Sequence, residues 1–99
     1  MTWSVVWTAR ADREARRAVA WWVKNCPYAP RLLRLEMAEA IDLLRSNPMM
    51  GASDKTGVRR VVLQQTQYLI FYVVETDAAE IRVLSVWSSR RGRAPRLRV

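Results

Sequence analysis

The sequence predicts an α+β domain of two layers, a helical hairpin packed on one face of an antiparallel sheet, in the order β-α-α-β-β-β. Three observations predict it. Val58–Leu63, Tyr68–Val74 and Ile81–Trp87 are apolar runs rich in β-branched and aromatic residues, separated by the short polar breaks Gln64–Gln67 and Glu75–Glu80. Those breaks are too short for crossover helices, so the three runs form an antiparallel meander. Two stretches with helical spacing of apolar residues precede it, and an apolar pentapeptide opens the chain.

That pentapeptide, Trp3–Trp7, reads as a first strand. Thr8 is placed to cap the helix that follows by accepting a backbone N–H bond. Over Ala9–Asn25, Ala11, Ala15, Ala18 and Trp22 share one face with Val19 beside them, while Arg10, Arg13, Arg17 and Lys24 fall on the opposite face. The plain reading of that basic face is solvation. Cys26-Pro27 ends the helix, because a proline disfavours helix at the residue before it. Pro30 suits the first position of a second helix with the stripe Leu33, Met37, Ile41 and Leu44, closed by Ser46-Asn47-Pro48. Residues 49–56 read as a loop.

In the meander, Tyr68–Val74 is apolar on both alternating faces, which predicts a central strand covered on both sides, with Phe71 in the core. Tyr68 and Tyr72 share one face and read as core aromatics with a polar tip. After Trp87 the composition changes: apolar residues nearly vanish and Arg90, Arg91, Arg93, Arg96 and Arg98 follow. This basic tail, residues 88–99, is either a mobile arm or a short extension along the sheet.

Ninety-nine residues make one domain, residues 1–99, with a single modest core. The net charge is +8, and fifteen of the seventeen basic residues are arginine. Arginine offers a planar fork for phosphate and carboxylate, so the expected partner is acidic, either nucleic acid or an acidic protein. A solvated basic surface is the plainer alternative. The chain has no histidine and one cysteine, Cys26, which reads as inert. That inventory removes the usual metal ligand and the commonest general base, and it excludes an intrachain disulfide. No metal site and no cofactor are expected. The N-terminus lacks a charged stretch followed by an apolar one, and no apolar run could span a bilayer, so a soluble cytoplasmic protein is expected.

The candidate chemistry is arginine: Arg59, Arg60, Arg82, Arg90 and Arg91, at the rim and end of the meander. Arginine stabilises developing negative charge but stays protonated, so it cannot act as a general base. A nuclease would have to recruit Glu75, Glu80, a tyrosine or the substrate itself.

The order of elements, together with Leu44-Arg45-Ser46-Asn47-Pro48-Met49-Met50-Gly51, Gly57-Val58-Arg59-Arg60, Tyr68-Leu69-Ile70-Phe71-Tyr72 and Val86-Trp87-Ser88-Ser89-Arg90-Arg91-Gly92, resembles the RelE/ParE superfamily of bacterial toxins. The resemblance implies the toxin half of a type II toxin–antitoxin module, a growth inhibitor of the kind associated with plasmid stabilisation. It implies neutralisation by a cognate acidic antitoxin, with operator DNA bound only through that antitoxin. It also implies that the first strand lies beside the last. RelE-like members cleave mRNA on the ribosome, often with an arginine directly after the tyrosine of the third strand and a tyrosine in the tail. Here Leu69 holds the arginine position, no tyrosine follows Tyr72, and Ser88 stands where many relatives place a histidine. ParE-like members inhibit DNA gyrase by binding. The departures favour the ParE side, with Arg59, Arg60, Arg82, Arg90 and Arg91 as target-binding residues. A ribosome-dependent endonuclease with an unusual residue set, and a degenerate toxin acting as a basic binding module, are the alternatives.

Overall fold

The computed structural model describes residues 2–97; Arg98, one of the expected tail arginines, lies outside them. The described residues form β1 (Ser4–Trp7), α1 (Ala9–Asn25), α2 (Leu32–Ser46), β2 (Ala52–Ser53), β3 (Arg59–Leu63), β4 (Tyr68–Glu75) and β5 (Glu80–Ser88), followed by a 3-10 turn, Ser89–Arg91. The sheet order is β1-β5-β4-β3-β2, with β1 parallel to β5 and the other pairs antiparallel. The expected α+β architecture is present, β4 is central, and the first strand lies beside the last.

Both helices cover one face of the sheet. Ala11, Ala18 and Trp22 of α1 and Leu33, Met37, Ile41 and Leu44 of α2 meet Tyr68, Ile70, Tyr72, Ile81 and Val83. Small alanines let α1 approach the sheet closely. The Thr8 hydroxyl accepts the Ala11 N–H at 3.1 Å and starts the helix as its sequence predicts. A smaller cluster of Val58, Phe71, Val73, Leu84 and Trp87 occupies the opposite face, with Leu69 and Leu97 packed against it. That cluster explains why β4 is apolar on both sides.

Besides shifts of one residue at the ends of β1, β4 and β5, three local departures from expectation have a structural reason. The second helix starts at Leu32 instead of Pro30, because the Ala29 carbonyl accepts both the Leu32 N–H at 3.2 Å and the Trp22 indole N–H at 2.8 Å, which holds the linker in turns. The expected loop 49–56 contains β2, whose Ala52 and Ser53 pair with Arg60 and Arg59. The first run of the meander, Val58–Leu63, enters the ladder at Arg59, since Asp54 Oδ1 takes the Val58 N–H at 3.1 Å.

Two polar links fix the layers. Glu36 on α2 accepts the Gln65 and Thr66 N–H groups at 2.8 and 3.0 Å and the Thr66 hydroxyl at 2.7 Å, tying α2 to the β3–β4 turn. The Tyr72 hydroxyl donates to the Pro48 carbonyl at 2.8 Å and accepts the Gly51 N–H at 2.9 Å, tying the end of the hairpin to β4. A Cβ on Gly51 would stand 2.6 Å from that hydroxyl and 2.7 Å from the Arg60 carbonyl oxygen. Gly51→Ala is therefore expected to cost about 1–3 kcal/mol through backbone displacement. Urea denaturation checks this; an unchanged midpoint would show that the loop yields freely.

Candidate functional site

The site is created where β1 ends. β1 pairs with β5 only from Glu80 to Val83. Beyond Val83, α1 takes over the free edge of β5. The Val83 carbonyl accepts the Thr8 N–H at 3.1 Å. Glu14 Oε1 accepts the Ser85 hydroxyl at 2.7 Å and the Val86 N–H at 3.2 Å. A bulge in β5 leaves Leu84 without a partner between Phe71 and Tyr72, which lets Leu84 join the outer cluster while Ser85 reaches Glu14.

Between α1 and the ends of β4 and β5 a cleft of about 500 Å³ opens. Arg17 and Trp21 form its α1 wall, Ala18 and Val86 lie deeper, and Tyr68, Arg90 and Arg91 close the other side. The 3-10 turn sets those two arginines. Ser88 Oγ accepts the Arg90 N–H at 3.3 Å, the Ser89 N–H donates to the Gln67 carbonyl at 3.0 Å, and Gly92 leaves the turn at φ 71°. That left-handed conformation is one glycine adopts without strain. The Arg91 guanidinium sits 4.1 Å from the centroid of the Trp87 ring, with Arg93 and Arg10 farther off at 5.8 and 6.0 Å. The chain then doubles back. The Trp87 indole N–H donates to the Arg93 carbonyl at 2.8 Å, Arg10 donates to the Arg96 carbonyl, and Leu97 packs on the outer cluster. Of the two readings of the tail, the extension along the sheet is the one observed as far as Leu97.

The protonation chemistry of the cleft is fixed by its surroundings. Burial raises the Tyr68 phenol above its ordinary value, against the opposing pull of Arg90 and Arg91. It therefore stays protonated at neutral pH. Glu14, the carboxylate at the cleft, is committed to Ser85, Val86 and the Arg10 guanidinium at 3.4 Å.

The five arginines predicted from sequence do not form one site. Arg90 and Arg91 line the cleft. Arg82 is on the outer face beside Val73, paired with Glu75 at 3.5 Å and Glu80 at 3.9 Å. Arg60 is exposed on that face, in register with Phe71. Arg59 points to the helical face and donates to the Met49 and Gly51 carbonyls at 3.1 and 2.7 Å, so it clamps the loop. Arg59→Ala is expected to destabilise the fold by about 1–3 kcal/mol, with part of the loss recovered by Lys. Thermal melting checks this, and an unchanged transition would return Arg59 to the binding set. The solvated reading of the basic face of α1 holds for Arg13, Arg17 and Lys24, which are exposed, although Arg17 also lines the cleft; Arg10 is half-buried and engaged with Glu14 and the tail. Leu69, at the position where the resemblance to RelE-like members often implies an arginine, lies opposite Trp87 and packs in the outer cluster.

A helical hairpin on this mostly antiparallel sheet is the α+β architecture expected of the RelE/ParE superfamily. The family model of the ParE toxin of type II toxin–antitoxin system, parDE, matches residues 5–93, and the chain belongs to that family. The fold is shared with a chain of the chromosomal ParDE system from P. aeruginosa, at 21% identity and TM-score 0.72, covering 88% of this chain and 96% of that one. It is also shared with a chain of the RelBE2 toxin–antitoxin complex from Mycobacterium tuberculosis, at 18% identity and TM-score 0.65, covering 89% and 99%. A chain of the intact E. coli RelBE complex aligns at 20% identity and TM-score 0.51, covering 95% and 99%. No curated protein matches the sequence. Among the described residues, no helix is long and apolar enough to cross a membrane.

Proposed function

We propose that this chain stops growth by binding a nucleic-acid-handling target, DNA gyrase first among them, through the arginine cleft and without cutting RNA. The observation that carries this reading is the contrast within the cleft. Arg17, Arg90 and Arg91 concentrate positive charge there, while Glu14 is fully engaged and the Tyr68 phenol is held protonated. A binding inhibitor needs complementary surface only. A nuclease needs charge stabilisation and proton transfer together, each worth orders of magnitude in rate.

The neutralising partner in this proposal is a cognate antitoxin with an acidic segment, and operator DNA is engaged through that antitoxin. The net charge of +8 and the toxin–antitoxin complexes among the solved relatives support this partner. The setting is the cytoplasm, where gyrase works. Purified toxin added to gyrase and relaxed plasmid is expected to suppress supercoiling, and prior mixing with antitoxin to restore it. Full supercoiling at saturating toxin would overturn the gyrase reading.

A further inference from the structure

Arg10, Arg13, Arg17, Trp21 and Lys24 follow one another on α1 at steps of three or four residues, which makes them one continuous row on the helix. At 1.5 Å per residue the row is about 21 Å long. Arg90 and Arg91 face its middle from across the cleft. We propose that this row and cleft bind single-stranded nucleic acid directly, with the backbone running along the α1 cations and one base stacked on Trp21. The inference stands on the row and the cleft, and does not depend on gyrase being the target.

Charge favours a polyanion, and the form of the site favours a nucleic acid strand over an acidic peptide. Phosphates recur at a spacing of a few ångströms along a strand, and Arg13 and Arg17, one turn apart, with Lys24 beyond Trp21, offer charges that successive phosphates can reach. Trp21 is a large aromatic, 50% exposed, set within the row at the cleft wall. A positively charged track with an aromatic stacking platform is the arrangement that holds single strands without sequence preference. An acidic helix would need a stripe of apolar sockets, and the row offers one aromatic. The cleft, at about 500 Å³, is of a size to take one extruded base. The nearby carboxylates do not oppose an anion. Asp12 is paired with Arg16 at 3.0 Å, and Glu14 is held by Arg10, Ser85 and Val86, so the phosphate contacts of the row fall to Arg13, Arg17 and Lys24.

Fluorescence anisotropy of the full chain with labelled dodecamers of thymidylate and of uridylate, a blunt duplex, and an oligoglutamate of equal length tests the proposal. Both single strands are expected to bind more tightly than the duplex and the oligoglutamate, and the tighter of the two names the ligand as DNA or RNA. Trp21→Ala is expected to weaken single-strand binding on the order of tenfold, leaving the salt dependence as it was. Arg17→Gln is expected to lower the slope of log K against log salt by about 0.7, the value of one phosphate contact on a single strand. Trp21 and Arg17 are exposed, so both variants fold; thermal melts verify it. Lys55→Gln, in the exposed loop before β3, leaves binding within twofold. Oligoglutamate binding as tightly as the oligonucleotides would overturn the proposal in favour of an acidic-peptide surface. Preference for the duplex, or equal losses at Lys55 and Arg17, would overturn it as well.

Discussion

Trp87→Ala is expected to remove about 3–5 kcal/mol of stability. The indole is 7% exposed and forms the end of the outer cluster with Val58, Phe71, Val73 and Leu84. Deleting it opens a cavity on the sheet face that the helices do not protect. It also removes the N–H bond to the Arg93 carbonyl and the ring beneath the Arg91 guanidinium. That cation–π contact is worth about 0.5–2 kcal/mol. Trp87→Phe separates these effects: it keeps most of the packing and loses the N–H bond, at about 1 kcal/mol. Urea midpoints of the two variants give the comparison. A loss below about 1 kcal/mol for the alanine variant would mean that the ring is dispensable to the core.

The largest functional effect is expected from Arg90→Ala combined with Arg91→Ala. Arg90 is exposed, its hydrogen bond among the described residues is the backbone N–H to Ser88 Oγ, and Arg91 contributes a stacking contact. The double variant should therefore stay folded, with a melting temperature within several degrees of the parent. Growth inhibition on induction should be lost, because both cations on one wall of the cleft are gone. Colony counts after induction, with soluble expression verified, decide it. Full toxicity in a folded double variant would mean that these arginines only solubilise the turn.

The elements legible in the sequence were those with long, consistent periodicity. The span of α1, its alanine face and the central position of β4 all follow from patterns extending over seven or more residues. β2 has two residues and no period, and its strand character comes from pairing with Arg59 and Arg60. The start of α2 was displaced because the Trp22 indole, from the previous helix, captures the Ala29 carbonyl.

The site was legible only in part, and for a related reason. Arg59 and Arg60 are adjacent and alike in sequence, yet strand alternation sends one into the loop clamp and the other to the outer face. The identity of each face is fixed by packing from α2 and by the Tyr72 anchor. Glu14 and Ser85 are 71 residues apart, and nothing local marks Glu14 as the group that seals the edge of β5. Arg17 and Trp21 were hidden by the plain reading of a basic helix surface. The signal that could have found them was the even step of Arg10, Arg13, Arg17, Trp21 and Lys24 along one side of α1, with an aromatic in a row of cations.

Primer extension on a translated message, isolated within minutes of induction and paired with plasmid topology from the same culture, tests the central claim most directly. The proposed binding mode predicts that the message stays uncut while negative supercoiling of the plasmid falls. Specific cuts at the ribosomal A site, with supercoiling unchanged, would contradict the account and identify the protein as an mRNA endonuclease.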